Sequence, residues 1–241
     1  MQWEKWRPWY HEIVEKLKLD EQADLEAAKL LNCLLPEPNL KRLAEIIRGH
    51  ECLVLGAGPS LEEDLKRLKR AGYLDKVLIP ADGATSAVIR YRNPEIIVTD
   101  LDGAIGDQLR AWKNGSWLVV HGHGDNIARL RKYVPRLLER IIGTTQTKPI
   151  GKLFNFGGFT DGDRAAFMAA ELGAKEIYLA GMNLGTKIGK YSGRKNRARK
   201  LLKLEICREL LGWLSSELGA KIINLTQGGE PIPNVPNKTV G

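Results

Sequence analysis

From residue 51 onward, short apolar runs alternate with longer amphipathic stretches, and that alternation leaves the chain few folds to choose from. The runs cover 52–55, 76–81, 95–99, 117–121, 153–156, 176–180 and 221–225, with a weaker one at 140–142. Helical spacing fills the gaps at 61–71, 84–91, 104–112, 126–133, 162–172 and 198–218. Strands separated by helices build βαβ units, so the expected fold is α/β: a doubly wound, mostly parallel, Rossmann-like sheet. Residues 1 to 48 read as helical instead. Trp3, Trp6, Tyr10, Ile13 and Leu17 fall on one apolar face, 21–35 stops before Pro36 and Pro38, and 40–48 is closed by Gly49. The expected organisation is a helical region over 1–49 that caps a Rossmann-like catalytic domain over 50–241. The tail from Gly228, with Pro231, Pro233 and Pro236, is expected to run irregularly over the surface.

Several function classes are excluded or narrowed by composition. No apolar run nears the roughly 20 residues of a membrane span, and the amino terminus lacks a signal-peptide core. Cys33, Cys52 and Cys207 are isolated and odd in number, which fits reduced core residues of a cytoplasmic protein. A net charge of +8 suits either nucleic acid or a polyphosphate substrate. The oligomeric state is left open, a homo-oligomer included.

Special residues follow the apolar runs repeatedly, at the strand ends where open α/β sheets bind ligands. The run ending at Val98 delivers Thr99-Asp100-Leu101-Asp102-Gly103. Two hard carboxylate donors at one strand end suit Mg²⁺ held together with substrate phosphates. Asp82, after the preceding run, would be a third ligand or a water-mediated one, and three converging carboxylates need a cation to relieve their repulsion. Gly56-Ala57-Gly58-Pro59-Ser60 resembles a dinucleotide fingerprint without its third glycine, and its helix start offers N–H groups to a phosphate. A plain βα turn is the competing explanation.

His121 and His123 alternate beside Asp125 and Asn126. Zinc finds no cysteine or third histidine there. Phosphate or substrate contacts are the favoured reading, with a structural role for at least one histidine about equally plausible. Gly157, Gly158, Thr160, Asp161 and Asp163 form a loop whose glycines admit a ligand to the backbone and whose acids can pair with an amino-pyrimidine edge; a helix cap is the alternative. Finally, residues 187–200 carry seven basic residues, and this loop could close over a triphosphate or bind nucleic acid.

Taken in order, Gly56-Ala57-Gly58-Pro59-Ser60-Leu61, Ala81-Asp82-Gly83-Ala84, Val98 to Gly103, His121 to Asn126 and Gly157 to Arg164 resemble the archaeal 6-hydroxymethyl-7,8-dihydropterin diphosphokinase family. More distantly, Asp82-Gly83-Ala84 and Thr99 to Asp102 are similar to motifs of thiamine diphosphokinases, which have Gly at position 99 and Ser at 103. The resemblance implies Mg²⁺-dependent transfer of diphosphate from ATP to a reduced pterin with release of AMP, for a folate-type or methanopterin-type carrier. ATP and the pterin are then the expected partners, with no membrane, and nucleic acid is disfavoured. On this reading Asp82, Asp100 and Asp102 serve the metal, and Gly56, Gly58, Ser60, His121 and His123 meet ATP. Lys190, Arg194, Lys195 and Arg197 clamp its phosphates. Asn126, Gly157, Gly158, Thr160, Asp161 and Asp163 face the pterin. The general base is Asp82, Asp125 or an acid of the 161–163 loop. Competing readings are a thiamine diphosphokinase, a metal-dependent nucleotide-sugar transferase and a non-enzymatic nucleic-acid binder.

Overall fold

Because strand side chains alternate between faces, β1 (Glu51–Leu55) buries Cys52 and Val54 in one core and Leu53 and Leu55 in another. The same alternation holds through β2 (Val77–Pro80), β3 (Ile96–Thr99), β4 (Trp117–Gly122), β5 (Ile141–Thr145), β6 (Leu153–Phe154), β7 (Glu176–Ala180) and β8 (Ile222–Asn224). The chain, described over residues 1–192 and 196–240 by a computed structural model, forms two four-stranded sheets. Their orders are β2-β1-β7-β8 and β3-β4-β5-β6. Every strand pair is parallel, and a parallel bridge between Ala81 and Val98 joins the sheets along β2 and β3.

Helices cover both faces, as buried parallel strands require. On one side, α1 (Trp3–Leu17), α3 (Leu40–Ile47), α8 (Asp161–Glu171) and α9 (Arg197–Ser216) share a core with Val54, Ile79, Val98 and Val119. On the other side, α4 (Leu61–Arg70) and α5 (Thr85–Val88) pack on β1, β2 and β7. There α2 (Glu21–Leu34), α6 (Ile105–Lys113) and α7 (Ile127–Tyr133) cover β3, β4 and β5. The architecture is the expected doubly wound α/β fold. The amino-terminal helices divide between its two faces.

One weak expectation is borne out and two others are revised. The weak run at 140–142 belongs to a full strand, β5, whose glycine and threonines hide an apolar signature while β4 and β6 flank it. The helix expected over 84–91 is the four-residue α5, preceded by a 3₁₀ turn at Asp82–Ala84. Cys33 is exposed, unlike buried Cys52 and Cys207. The tail is irregular as expected, yet Ile232, Val235 and Val240 are buried, so it lies back onto the fold.

Strand order reverses at β1, whose neighbours are β2 on one side and β7 on the other. A crevice therefore opens between the loops after β1 and β7. Asp64 of α4, with no exposed surface, holds those loops. Its Oδ2 accepts from Ser60 Oγ (2.7 Å) and Gly181 N (2.9 Å), and its Oδ1 accepts from Arg67 Nη2 and Gln227 N, both at 3.0 Å. Asp64→Ala strands these donors and leaves Arg67 without its counter-charge. It is expected to lower stability by at least about 3 kcal/mol. An unchanged urea-denaturation midpoint would refute this.

Candidate active site

The carboxyl ends of β1, β2, β3, β4 and β7 open into a cleft of about 390 Å³. Its floor is acidic. Asp82, Asp100 and Asp161 each place one carboxylate oxygen within 4.8 Å of the other two. Asp82 sits at φ 44° on the turn after β2, and Leu101 at φ 63° on the turn after β3. These left-handed residues cost energy and turn the chain sharply between the acids.

Asp82 and Asp100 are held by hydrogen bonds, whereas the buried Asp161 Oδ1 has no hydrogen-bond partner among the described residues. Asp82 Oδ1 accepts from Thr99 Oγ1 (2.7 Å), Gln108 Nε2 (2.9 Å) and Gly103 N (3.2 Å). Thr99 Oγ1 in turn accepts from Leu101 N at 2.8 Å, which shapes the turn. A Cβ on Gly103 would stand 2.1 Å from Asp82 Oδ2, so a serine at 103 cannot coexist with this aspartate position. Asp100 Oδ1 accepts from Asp102 N (3.1 Å), while its Oδ2 lies 3.2 Å from His123 Nε2. His123 Nδ1 accepts from Asp125 N at 3.3 Å, which leaves the ring proton on Nε2, facing Asp100.

Burial, then the charges of Asp100 and Asp102, raise the Asp82 carboxyl to about 6, against hydrogen bonds from Thr99 and Gln108. Burial, followed by Asp100 and Asp82, also pushes Asp161 well above the usual carboxylate range, against the pull of Arg164. Concentrated, poorly hydrated negative charge of this kind favours a small divalent cation over three bare carboxylates. The donor set, hard oxygens from the turns after β2 and β3 and from the first turn of α8, fits a hard divalent cation.

Among the residues singled out in the sequence, Gly56, Gly58, Asp82, Asp100, Asp102, His123, Asp125, Thr160 and Asp161 line this one cleft. Their roles shift in detail. Asp161, expected at the pterin edge, joins Asp82 and Asp100. Asp102 lies on the wall, its Oδ2 4.0 Å from Arg129, outside the converging trio. The spacing of Gly56 and Gly58 also answers to the protein itself: added Cβ atoms would stand 2.7 and 2.4 Å from the Gly181 carbonyl.

Other candidates turn away from the cleft, for identifiable reasons. Asp163 is fully buried and closes a capping box, accepting from Phe159 N and Thr160 N at 2.7 Å and from the Thr160 hydroxyl. Gly158 is at φ 83°, where a Cβ would stand 2.7 Å from the Arg164 backbone, and Gly157 faces Phe167. The glycine pair thus serves the start of α8. Asn126 donates to the carbonyls of Asp100 (2.9 Å) and His121 (2.7 Å) and accepts from His123 N, pinning two strand ends together. His121 is buried against Thr144, and burial holds it neutral by lowering its pKa well below the usual value. Ser60 faces Asp64 and Asn183.

The expected phosphate clamp also differs. Lys190 pairs with Glu62 at 2.7 Å on the surface, and Arg197 donates to the Thr186 carbonyl. Arg194 and Lys195 lie outside the described residues. Among the described residues, the cations that line the cleft are Lys18, Arg164, Lys187, Arg199, Lys200 and Lys203. Arg199 and Lys200 fall within the basic run noted in the sequence. Arg164 gave no such signal, since one arginine in an alanine-rich helix resembles any surface charge. Lys203 and Arg164 stand over the Phe159 ring at 5.2 and 5.9 Å.

Residues 26–189 match the family described as 6-hydroxymethylpterin diphosphokinase MptE-like. A Pyrococcus furiosus protein named 6-hydroxymethyl-7,8-dihydropterin pyrophosphokinase is 43% identical over 236 residues, spanning 94% of this chain and 100% of the relative. A Methanothermobacter thermautotrophicus protein of the same name is 45% identical over 223 residues, 89% of this chain and 95% of its own. One from Methanocaldococcus jannaschii is 37% identical over 238 residues, 90% of this chain and 98% of its own. With matches that span the sheet, the acidic floor and nearly the whole chain, this protein belongs to the 6-hydroxymethylpterin diphosphokinase MptE-like family.

Proposed function

We propose that this chain transfers the terminal diphosphate of ATP to the hydroxymethyl group of a 6-hydroxymethyl-7,8-dihydropterin, releasing AMP, in the synthesis of a folate-type or methanopterin-type carrier. The observation that carries the reading is the convergence of Asp82, Asp100 and Asp161 at the switch-point cleft of a member of this family.

In the proposed step the substrate hydroxyl oxygen bonds to the β-phosphorus of ATP. The bond from that phosphorus to the α–β bridging oxygen breaks, and its electron pair leaves on AMP. The hydroxyl proton passes to a cleft carboxylate, for which rim-exposed Asp125 is the candidate. Asp82, Asp100 and Asp161 would hold Mg²⁺, which when bound neutralises phosphate charge. Thr99, Gln108 and the Gly103 N–H keep Asp82 in place, and His123 orients Asp100. The nucleotide fits the side of the cleft walled by Gly56–Gly58, Asn183 and the cations of α9. The pterin fits the side walled by Lys18, Leu19, Ala23 and Gly124. Position 103 departs from the thiamine diphosphokinase motif, with glycine where that motif has serine.

AMP release measured with a panel of reduced pterins and with thiamine tests the reading. A preference for thiamine, or no AMP release with any acceptor, would refute it. Asp100→Asn and Asp161→Asn are expected to lower kcat by at least about 10²-fold while the protein stays folded. Asp163→Asn should instead act mainly on stability, by about 1 kcal/mol, through its cap. Equal kinetic losses in the 161 and 163 variants would contradict the assignment. Gly103→Ser should cost about 10²-fold in kcat by displacing Asp82. Normal turnover in that variant would show that the contact is dispensable. Arg199→Ala should raise the KM for ATP about tenfold and leave the pterin KM within about twofold, as expected for loss of one charge-assisted phosphate contact.

A further inference from the structure

A buried polar chain runs from the amino-terminal helices to the acidic floor. Asp24 of α2 is 4% exposed. Its Oδ1 accepts from Gly124 N (2.9 Å), and its Oδ2 accepts from the Tyr10 hydroxyl (3.2 Å) and from Gln146 Nε2 (2.6 Å). Gln146, just beyond β5 and equally buried, turns its Oε1 to Arg164 Nη2 at 3.0 Å. The Gln146 backbone is held as well, its carbonyl accepting from Trp6 Nε1 at 2.8 Å and Asn155 Nδ2 at 3.3 Å. Arg164 Nη1 stands 3.7 Å from Asp161 Oδ1, beyond hydrogen-bond length, and the residue lines the cleft.

This chain has a direction. An ionised carboxylate only accepts, so Asp24 forces the Gln146 amide to present its NH₂ to α2 and its oxygen to Arg164. A flipped amide would set oxygen against oxygen at one end and donor against donor at the other. Arg164 is therefore aimed by a fixed acceptor, which orients its guanidinium. A planar fork of N–H donors, beside the acids that would hold the metal, matches the oxygens of a diphosphate.

We infer that Arg164 binds the diphosphate being transferred, and that Gln146 and Asp24 are positioning residues that act through it. The inference rests on the diphosphate-transfer reading above. In that step Arg164 stays protonated and offsets the charge on the β-phosphoryl oxygens while the bond to the α–β bridging oxygen breaks.

The test exchanges the two ends of the relay. Asp24→Asn removes the charge that orients the amide, and Gln146→Glu sets two carboxylates face to face. The double variant restores one carboxylate, one amide and a fixed acceptor for Arg164. AMP release, calorimetric binding of inorganic pyrophosphate with Mg²⁺, and urea unfolding are measured on the full chain. Each single change should lower kcat by about tenfold to a hundredfold and weaken pyrophosphate at least about fivefold, with the pterin KM within about twofold. The double variant should recover both to within about threefold of the parent, a rescue that loss of packing alone would not produce. Arg164→Lys keeps the charge but loses the fork, and should also weaken pyrophosphate at least about fivefold; it decides the case if a relay variant fails to fold. A double variant no better than the worse single one, or parental pyrophosphate affinity in Arg164→Lys, overturns the inference. If the parent releases no AMP with any pterin, the functional reading fails, and the pyrophosphate titrations still decide whether the relay aims Arg164 at a diphosphate.

Discussion

Three carboxylates meeting at the carboxyl edge of a parallel sheet repel one another, and much of the architecture around the cleft offsets that repulsion. Hydrogen bonds from Thr99, Gln108 and Gly103 converge on a single oxygen of Asp82. His123 faces Asp100, and buried Arg164 approaches Asp161. None of this removes the cost: burial and mutual charge still raise the Asp82 and Asp161 carboxyls above their usual range. A site that concentrates negative charge and pre-pays for it is suited to cations and polyphosphates.

Several glycines at or near the cleft answer to close packing. Gly103 makes room for Asp82, Gly56 and Gly58 make room for the Gly181 carbonyl, and Gly158 makes room for the first turn of α8. In a sequence these look like ligand-binding glycines, because a close approach to a phosphate and a close approach to another strand end demand the same missing Cβ. Of these four, Gly56 and Gly58 pack on Gly181 and also line the cleft.

The amino-terminal helices supply more than cover. α1 and α3 complete the core on one face of the sheet, while α2 packs on the other and carries Asp24. Trp6 is wholly buried and donates to the Gln146 carbonyl, so the aromatic cluster near the amino terminus reaches the backbone that supports Arg164. The composition of that segment predicts a helical cap; its hydrogen bonds tie it to the floor of the cleft.

Much was legible in the sequence because it is written locally. Apolar runs between helical stretches specify parallel βαβ units. An acid directly after such a run must sit at a strand end, so Asp82 and Asp100 were placed by their neighbours alone. The family resemblance rested on the same ordered strand ends. Contacts between distant segments were not legible. Whether Asp161 or Asp163 reached the cleft depended on which one the first turn of α8 took as its cap, and the capping box took Asp163. Lys190 met Glu62 rather than the cleft because the loop after β7 folds against α4. Local spacing thus determined the fold and the edge of the sheet that would do chemistry. Which acids converge there, and which cation faces them, was decided only by tertiary packing, because a strand or helix sets where a side chain emerges but not what lies across the gap.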